Sequence, residues 1–215
     1  MEKIRSWEKG TSSPIPPLKY SKFKETLSEY SGKNKERNLM LFILGRSTGY
    51  RLGDLVHLTI GQLRDAMECG YFSIQESKQY LQWKSNLPKY PKRKKPEKRE
   101  VPIGKNLRKY LEQYCKGKKR SEYAFPSNKD EGKSYITQKS FSAILREVGK
   151  IVGLKNISGH SLRKTYATKI YEQSGHNLEQ VRVALNHQSI EETKRYLGIK
   201  QKMKIDSALI ADEDL

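Results

Sequence analysis

Cysteine is nearly absent from this chain: Cys69 and Cys115 are the only two among 215 residues. That count excludes a disulfide framework and a cysteine-built zinc site. No apolar run is long enough to span a bilayer, and the opening segment "MEKIRSWEKGTSSPIPP" lacks the hydrophobic stretch of a signal peptide. The four histidines have no ligand-like spacing and no neighbouring carboxylate cluster, so neither a metal nor another cofactor is expected. A phosphate-cradling glycine loop of the Walker type is also missing. These absences read as a cytoplasmic protein with reduced thiols.

Acidic residues are scarce beside basic ones, 24 against 43, which leaves a formal charge of +19. Self-repulsion on that scale burdens a folded chain unless a polyanion neutralises it, so nucleic acid is the leading partner. Ribosomal and membrane-surface proteins share such charge, so composition alone fixes no function. Hydrophobic residues make up 35% of the chain, enough for a core because they recur periodically.

Residues 1–17 read as a flexible lead-in. Phe23, Leu27 and Tyr30 recur at helical spacing between Leu18 and Tyr30, and Leu39, Met40, Ile43 and Leu44 mark a second helix over Lys35–Leu44. Thr59 and Gln62 form a capping-box pattern. Tyr71–Gln75 alternates like a strand, with Arg99–Ile103 as its partner. Between them "KQYLQWKSNLPKYPKRKKPEK" reads as a long, proline-broken basic loop, both solvated and suited to tracking phosphates. A helix over Asn106–Lys116 carries Leu107, Tyr110, Leu111 and Tyr114. Another, capped by Thr137, carries Phe141, Ile144, Leu145, Val148, Ile151 and Val152. The expected fold is mainly α with a small antiparallel β-sheet (α+β), as one domain over residues 18–200. The tail, 201–215, has a short amphipathic pattern in Ile205, Leu209 and Ile210, followed by Asp212, Glu213 and Asp214.

The last third carries the chemistry. In "ISGHSLRKTYATKIYEQSGHNLEQVRVALNHQSIEETKRYLG", His160 and Arg163 are spaced to share a helix face. His187 and Tyr196 follow, with Asn177 and Ser189 positioned to cap the two helices between and around them. Singly, each of these residues has an ordinary structural explanation. Together, "HSLRKTYAT" and "NHQSIEETKRYL" resemble the C-terminal boxes of the tyrosine recombinase (phage integrase) family. Upstream, "STGYRLGDLVHLT" is similar to the same family's first arginine box.

The resemblance implies a fold, an activity and a site. The catalytic residues are expected to be Arg51, Lys78, His160, Arg163, His187 and Tyr196, with Asp54 supporting the Arg51 helix. Lys84 is the alternative to Lys78. Lys84, Lys89, Lys92, Arg93, Lys94, Lys95, Lys98 and Lys164 are expected to contact DNA. Two arginines suit a phosphate because each offers a forked pair of donors. The cations are expected to favour the Tyr196 phenolate, and Lys78 is expected to protonate the departing 5′-oxygen. The implied activity is metal-free and ATP-free strand exchange through a 3′-phosphotyrosyl link. Its partners would be double-stranded DNA and further copies of the chain, dimer to tetramer, in a bacterial, phage or mobile-element setting. The residues before Leu18 are too few for the family's core-binding domain, so the chain reads as a fragment or as a compact member like the fimbrial DNA invertases. In the family, segments after the tyrosine dock on a neighbouring subunit, and the resemblance implies the same contact for this tail. The competing readings are a type IB topoisomerase and a DNA-binding protein without chemistry.

Overall fold

The computed structural model describes residues 12–199 together with Met203, Ser207, Leu209, Ile210 and Asp212. Helix α1 (Tyr20–Tyr30) follows a short 3-10 turn at Pro17–Lys19 and buries Phe23 and Leu27. Helix α2 (Lys35–Thr48) runs a turn beyond its expected end and is the spine of the core. Leu41, Phe42 and Leu44 are fully buried along it, and Phe42 stacks on both Tyr20 and Phe23. Tyr30, the last residue of α1, differs from expectation: it is 49% exposed.

Gly49 ends α2 in the left-handed conformation, with φ of 63°. A Cβ there would also run into the Tyr166 ring, so glycine is required twice over. The chain then enters the single turn α3 (Leu52–Leu55) and the capped helix α4 (Ile60–Cys69). Both halves of the Thr59–Gln62 capping box are made. Strands β1 (Tyr71–Ile74) and β2 (Arg99–Pro102) pair antiparallel, with Phe72 opposite Val101.

The linker between the strands is not a loop throughout. Ser77–Asn86 forms helix α5, none of whose residues is buried. It is held by polar contacts instead: Gln79 Nε2 donates to the Asn186 carbonyl at 2.7 Å and Asn186 Nδ2 returns to Gln79 Oε1 at 3.0 Å. Trp83 Nε1 donates to the Arg93 carbonyl at 2.8 Å, folding the basic stretch back on the helix.

Helix α6 (Lys105–Cys115) and helix α7 (Gln138–Ile151) cover the other side of α2 and α1. Tyr110 and Ile151, read from periodicity as core, lie at the edges of their stripes and are exposed. Helix α8 (Gly159–Gln173) packs on α2, followed by α9 (Leu178–Leu185) and α10 (Ile190–Leu197). The caps expected at Thr137, Asn177 and Ser189 all form, each side chain accepting from the backbone three residues on.

Residues 12–17, expected to be part of a flexible lead-in, are anchored. Ile15 is 2% exposed, and its amide donates to Thr165 Oγ1 at 2.8 Å. Residues 1–11 lie outside the described residues, as do Ile205, Glu213 and Asp214 of the tail. Leu209 and Ile210 are helical and exposed. Among the described residues no helix is long and apolar enough to cross a membrane.

Candidate active site

The turn after Gly49 delivers Arg51 to the N-cap of α3, while the Ser158 capping box starts α8 and sets Arg163 one turn in. The two guanidinium groups meet over a single carboxylate. Arg51 Nη1 lies 2.7 Å from Glu76 Oε1, and Arg163 Nη1 donates to the same oxygen at 2.6 Å. Arg163 also donates to the carbonyls of Gly49 and Leu185, each at 2.7 Å. These bonds tie the ends of α2 and α9 together and leave the Arg163 side chain only 2% exposed.

Glu76 and Arg99 were not anticipated from the sequence. Glu76 is fully buried at the N-cap of α5. Arg99 opens β2, lies with its Nε 3.8 Å from Glu76 Oε2, and rests 3.9 Å above the Tyr50 ring. It donates to the Ala184 carbonyl at 2.7 Å and to the Thr48 carbonyl at 2.9 Å, so it braces the same two helix ends as Arg163. Three guanidinium groups thus share one carboxylate, which leaves the cluster positive and receptive to another anion. The only local signal for Glu76 was its position two residues before Lys78.

Asp54 is buried, and its Oδ1 accepts from the Ser77 amide at 3.0 Å. It therefore connects the Arg51 turn to the first residue of α5. The next residue, Lys78, is exposed in a cleft of about 670 Å³ lined also by Arg51, Gln79, Asn186, Gln188 and Glu192. Lys78 and Arg51 thus face one opening, whereas Lys84 does not line it.

His160 shares α8 with Arg163 but differs in environment, being exposed. Desolvation lowers its pKa, and the charges of Arg51, Arg163, Lys78 and Lys164 lower it further. Lys164, expected as a DNA contact, belongs to this group: its Nζ lies 5.7 Å from the Tyr196 ring centroid, and burial lowers its pKa. Lys89, Lys92, Arg93, Lys94, Lys95 and Lys98 are exposed on the basic stretch, as is Lys84 on α5.

His187 sits in the turn between α9 and α10, 5% exposed, with Nδ1 3.1 Å from Thr193 Oγ1. Burial pushes its pKa down to about 4; Glu192 opposes this, while Arg163 and Arg51 add to it. The Tyr196 ring stands edge-on to His187, centroids 5.2 Å apart. Its hydroxyl oxygen is buried without a hydrogen-bond partner. Burial pushes the phenol up to about 12, against the pull of Arg163 and Arg51. Arg163 is close enough to act on the phenol oxygen, yet no contact between them has hydrogen-bond geometry. The two arginines pull toward the phenolate, the direction expected, but desolvation outweighs them and keeps the pKa raised. Among the described residues no group of three His, Cys, Asp or Glu is placed to hold a metal ion.

The model of the phage integrase family matches residues 19–203, and the chain belongs to that family. It is similar to the probable integrase/recombinase YoeC of Bacillus subtilis (strain 168), 28% identical over 87% of this chain and 91% of that protein. It is also similar to tyrosine recombinase XerA of Pyrococcus furiosus, 25% identical over 82% of this chain but only 55% of the relative. The fold is that of tyrosine recombinase catalytic domains. One such structure, the XerH site-specific recombinase bound to difH substrate in a pre-cleavage complex, aligns at a TM-score of 0.60 and 23% identity. That alignment covers 86% of this chain and 49% of the other.

Proposed function

We propose that this chain is the catalytic domain of a site-specific DNA recombinase, cleaving and rejoining strands through a 3′-phosphotyrosyl link. The observation that carries the reading is the convergence of Arg51, Lys78, His160, Arg163 and the buried Tyr196 hydroxyl around one positively charged centre. Phosphoryl transfer asks a protein mainly for positioning and charge neutralisation, and two permanent cations on a fixed carboxylate supply both. The scissile phosphate is placed against Arg51 and Arg163, with His160 donating to a non-bridging oxygen. The Tyr196 oxygen attacks phosphorus, the bond to the 5′-oxygen breaks, and Lys78 hands that oxygen a proton. Because the phosphodiester is kept in the covalent link, rejoining needs no separate energy source.

The relatives named integrase/recombinase, and the XerH structure with its difH substrate, favour double-stranded DNA as the partner. Strand exchange for integration, excision or inversion would then proceed in a dimer or tetramer assembled on DNA. The deciding experiment is detergent-quenched incubation with supercoiled plasmid carrying the DNA that flanks the gene. Protein-linked DNA is expected from the wild type and none from Tyr196→Phe, which should still retard the same DNA in a gel. An adduct that persists in Tyr196→Phe would overturn the assignment.

A further inference from the structure

The last carbonyls of a helix have no amide four residues on, and at the end of α9 four in a row are taken by side chains. Arg99 donates to the Ala184 carbonyl, Arg163 to that of Leu185 and Gln79 to that of Asn186, each at 2.7 Å. Arg182 donates to the His187 carbonyl at 3.1 Å. The first three donors come from β2, α8 and α5, so three separate elements hold the turn that leads to Tyr196. Helices α9 and α10 pack on α8 and on each other, around Ala167, Val181 and Leu185, a cluster apart from the main core. Their place relative to the rest of the site therefore leans on these polar bonds.

Arg99 and Arg163 also serve Glu76. Gln79 serves the turn through a reciprocal contact, because Asn186 Nδ2 donates back to Gln79 Oε1 at 3.0 Å. A carbonyl only accepts, so the pairing fixes which way the Gln79 amide faces. Asn186 suits the place twice, since it also takes up left-handed backbone with φ of 53°. Helix α5 buries no residue, and its start is fixed by the Ser77 amide on Asp54 Oδ1. One such point leaves a helix free to roll and swing. A second point at Gln79 stops both, and Lys78 lies between the two. Successive helix residues point about 100° apart. With Gln79 turned to Asn186, Lys78 lines the cleft it shares with Arg51.

We infer that Gln79 is a positioning residue: by clamping α5 to the Asn186 turn, it sets the Lys78 ammonium at the 5′-oxygen that leaves when Tyr196 attacks. This role rests on the phosphotyrosine reading, in which Lys78 supplies that oxygen's proton. The clamp joins the helix of the acid to the turn of the nucleophile, so the forming and breaking bonds are held in one frame. Attack forms the bond from Tyr196 oxygen to phosphorus, the bond from phosphorus to the 5′-oxygen breaks, and a Lys78 proton goes to that oxygen. On rejoining, the 5′-hydroxyl gives the proton back to Lys78 as it attacks phosphorus and Tyr196 leaves. Gln79 gains and loses nothing in either step. It acts through the aim of Lys78.

Two readouts test the inference in Gln79→Met, which keeps the length and helix preference of the side chain and loses its amide. In the DNA-free protein, hydrogen exchange across α5 should quicken about 10-fold, while α1, α2 and α7 exchange as in the wild type. On a duplex carrying the cleavage position mapped with the wild type, adduct formation at saturating DNA should fall by about 10- to 100-fold. The distinguishing substrate has sulfur in place of the bridging 5′-oxygen. A thiolate leaves without a proton, so Lys78→Ala and Gln79→Met should both then approach the wild-type rate. Asn186→Gly keeps the left-handed turn and the carbonyl but loses the returning amide, and it should show the same defect in milder form. A Gln79→Met variant as fast as wild type on ordinary DNA overturns the inference. So does a defect that sulfur leaves in place, which would put Gln79 at the nucleophile or in the fold instead. Unchanged exchange across α5 overturns the clamp. Absence of adduct from the wild type on any duplex would overturn the phosphotyrosine reading and the aiming of Lys78 with it, while exchange still decides whether Gln79 holds α5.

Discussion

At the scale of single residues, Glu76 is where the sequence was least informative and the structure most. Arg51, Arg163, His160, His187 and Tyr196 were legible because their spacing follows a recognisable pattern. Glu76 and Arg99 were not, since nothing local tells which side chains will fold across a cluster assembled from α2, α5, α8 and β2. The carboxylate lies within 2.7 Å of Arg51 and 2.6 Å of Arg163, with Arg99 3.8 Å from its second oxygen. Neutralising it would leave the buried guanidinium groups of Arg99 and Arg163 and the partly exposed one of Arg51 repelling one another. Breaking such a cluster from one side costs about 3–5 kcal/mol, since the remaining charges lose their compensation. Glu76→Gln, which keeps the shape, is therefore expected to lower unfolding stability by that amount in urea titrations and to suppress adduct formation. A loss below about 1 kcal/mol would mean that solvent already screens the arginines.

At the scale of elements, helices with a deep apolar stripe or a strong cap were readable, because both signals are local. Thr137, Asn177 and Ser189 cap where expected. Stripe edges such as Tyr30, Tyr110 and Ile151 were not, because their burial depends on which neighbour arrives. Helix α5 was missed for a related reason: it buries no residue and is held by Gln79, Asn186 and Trp83, contacts that sequence periodicity cannot register. Its role is to carry Lys78 to the cleft at one end and the basic stretch at the other. The two ends should be separable. Replacing Lys92, Arg93, Lys94 and Lys95 with alanine should weaken DNA binding evenly across sequences. It should also make the slope of log affinity against log salt shallower by up to about 4, near one unit per lost phosphate contact. Adduct formation at saturating DNA should persist, because Lys78 is untouched. An unchanged salt slope would show that the stretch does not reach phosphate.

For the molecule as a whole, the dominant fact is a charge of +19 around a buried, positively charged centre. Acid should therefore destabilise the fold in two distinguishable ways. Surface repulsion grows as carboxylates lose their charge, and salt screens it. His187 acts differently: folding holds its pKa near 4 against an ordinary 6.5. The unfolded chain then binds more protons than the folded one in that interval. Stability is complete above about pH 6.5 and is lost as pH falls toward about 4, by roughly 3 kcal/mol from this residue alone. Tyr196 works at the other limit. Its raised phenol keeps a proton that the unfolded chain releases, so stability declines as pH climbs from about 10 through about 12. Urea midpoints followed from neutral pH down to about 4, in low and high salt, should separate the acid terms. The His187 share is buried and should survive high salt, and His187→Gln should flatten it. An acid slope that salt abolishes in the wild type would mean that the imidazole protonates freely in the folded protein.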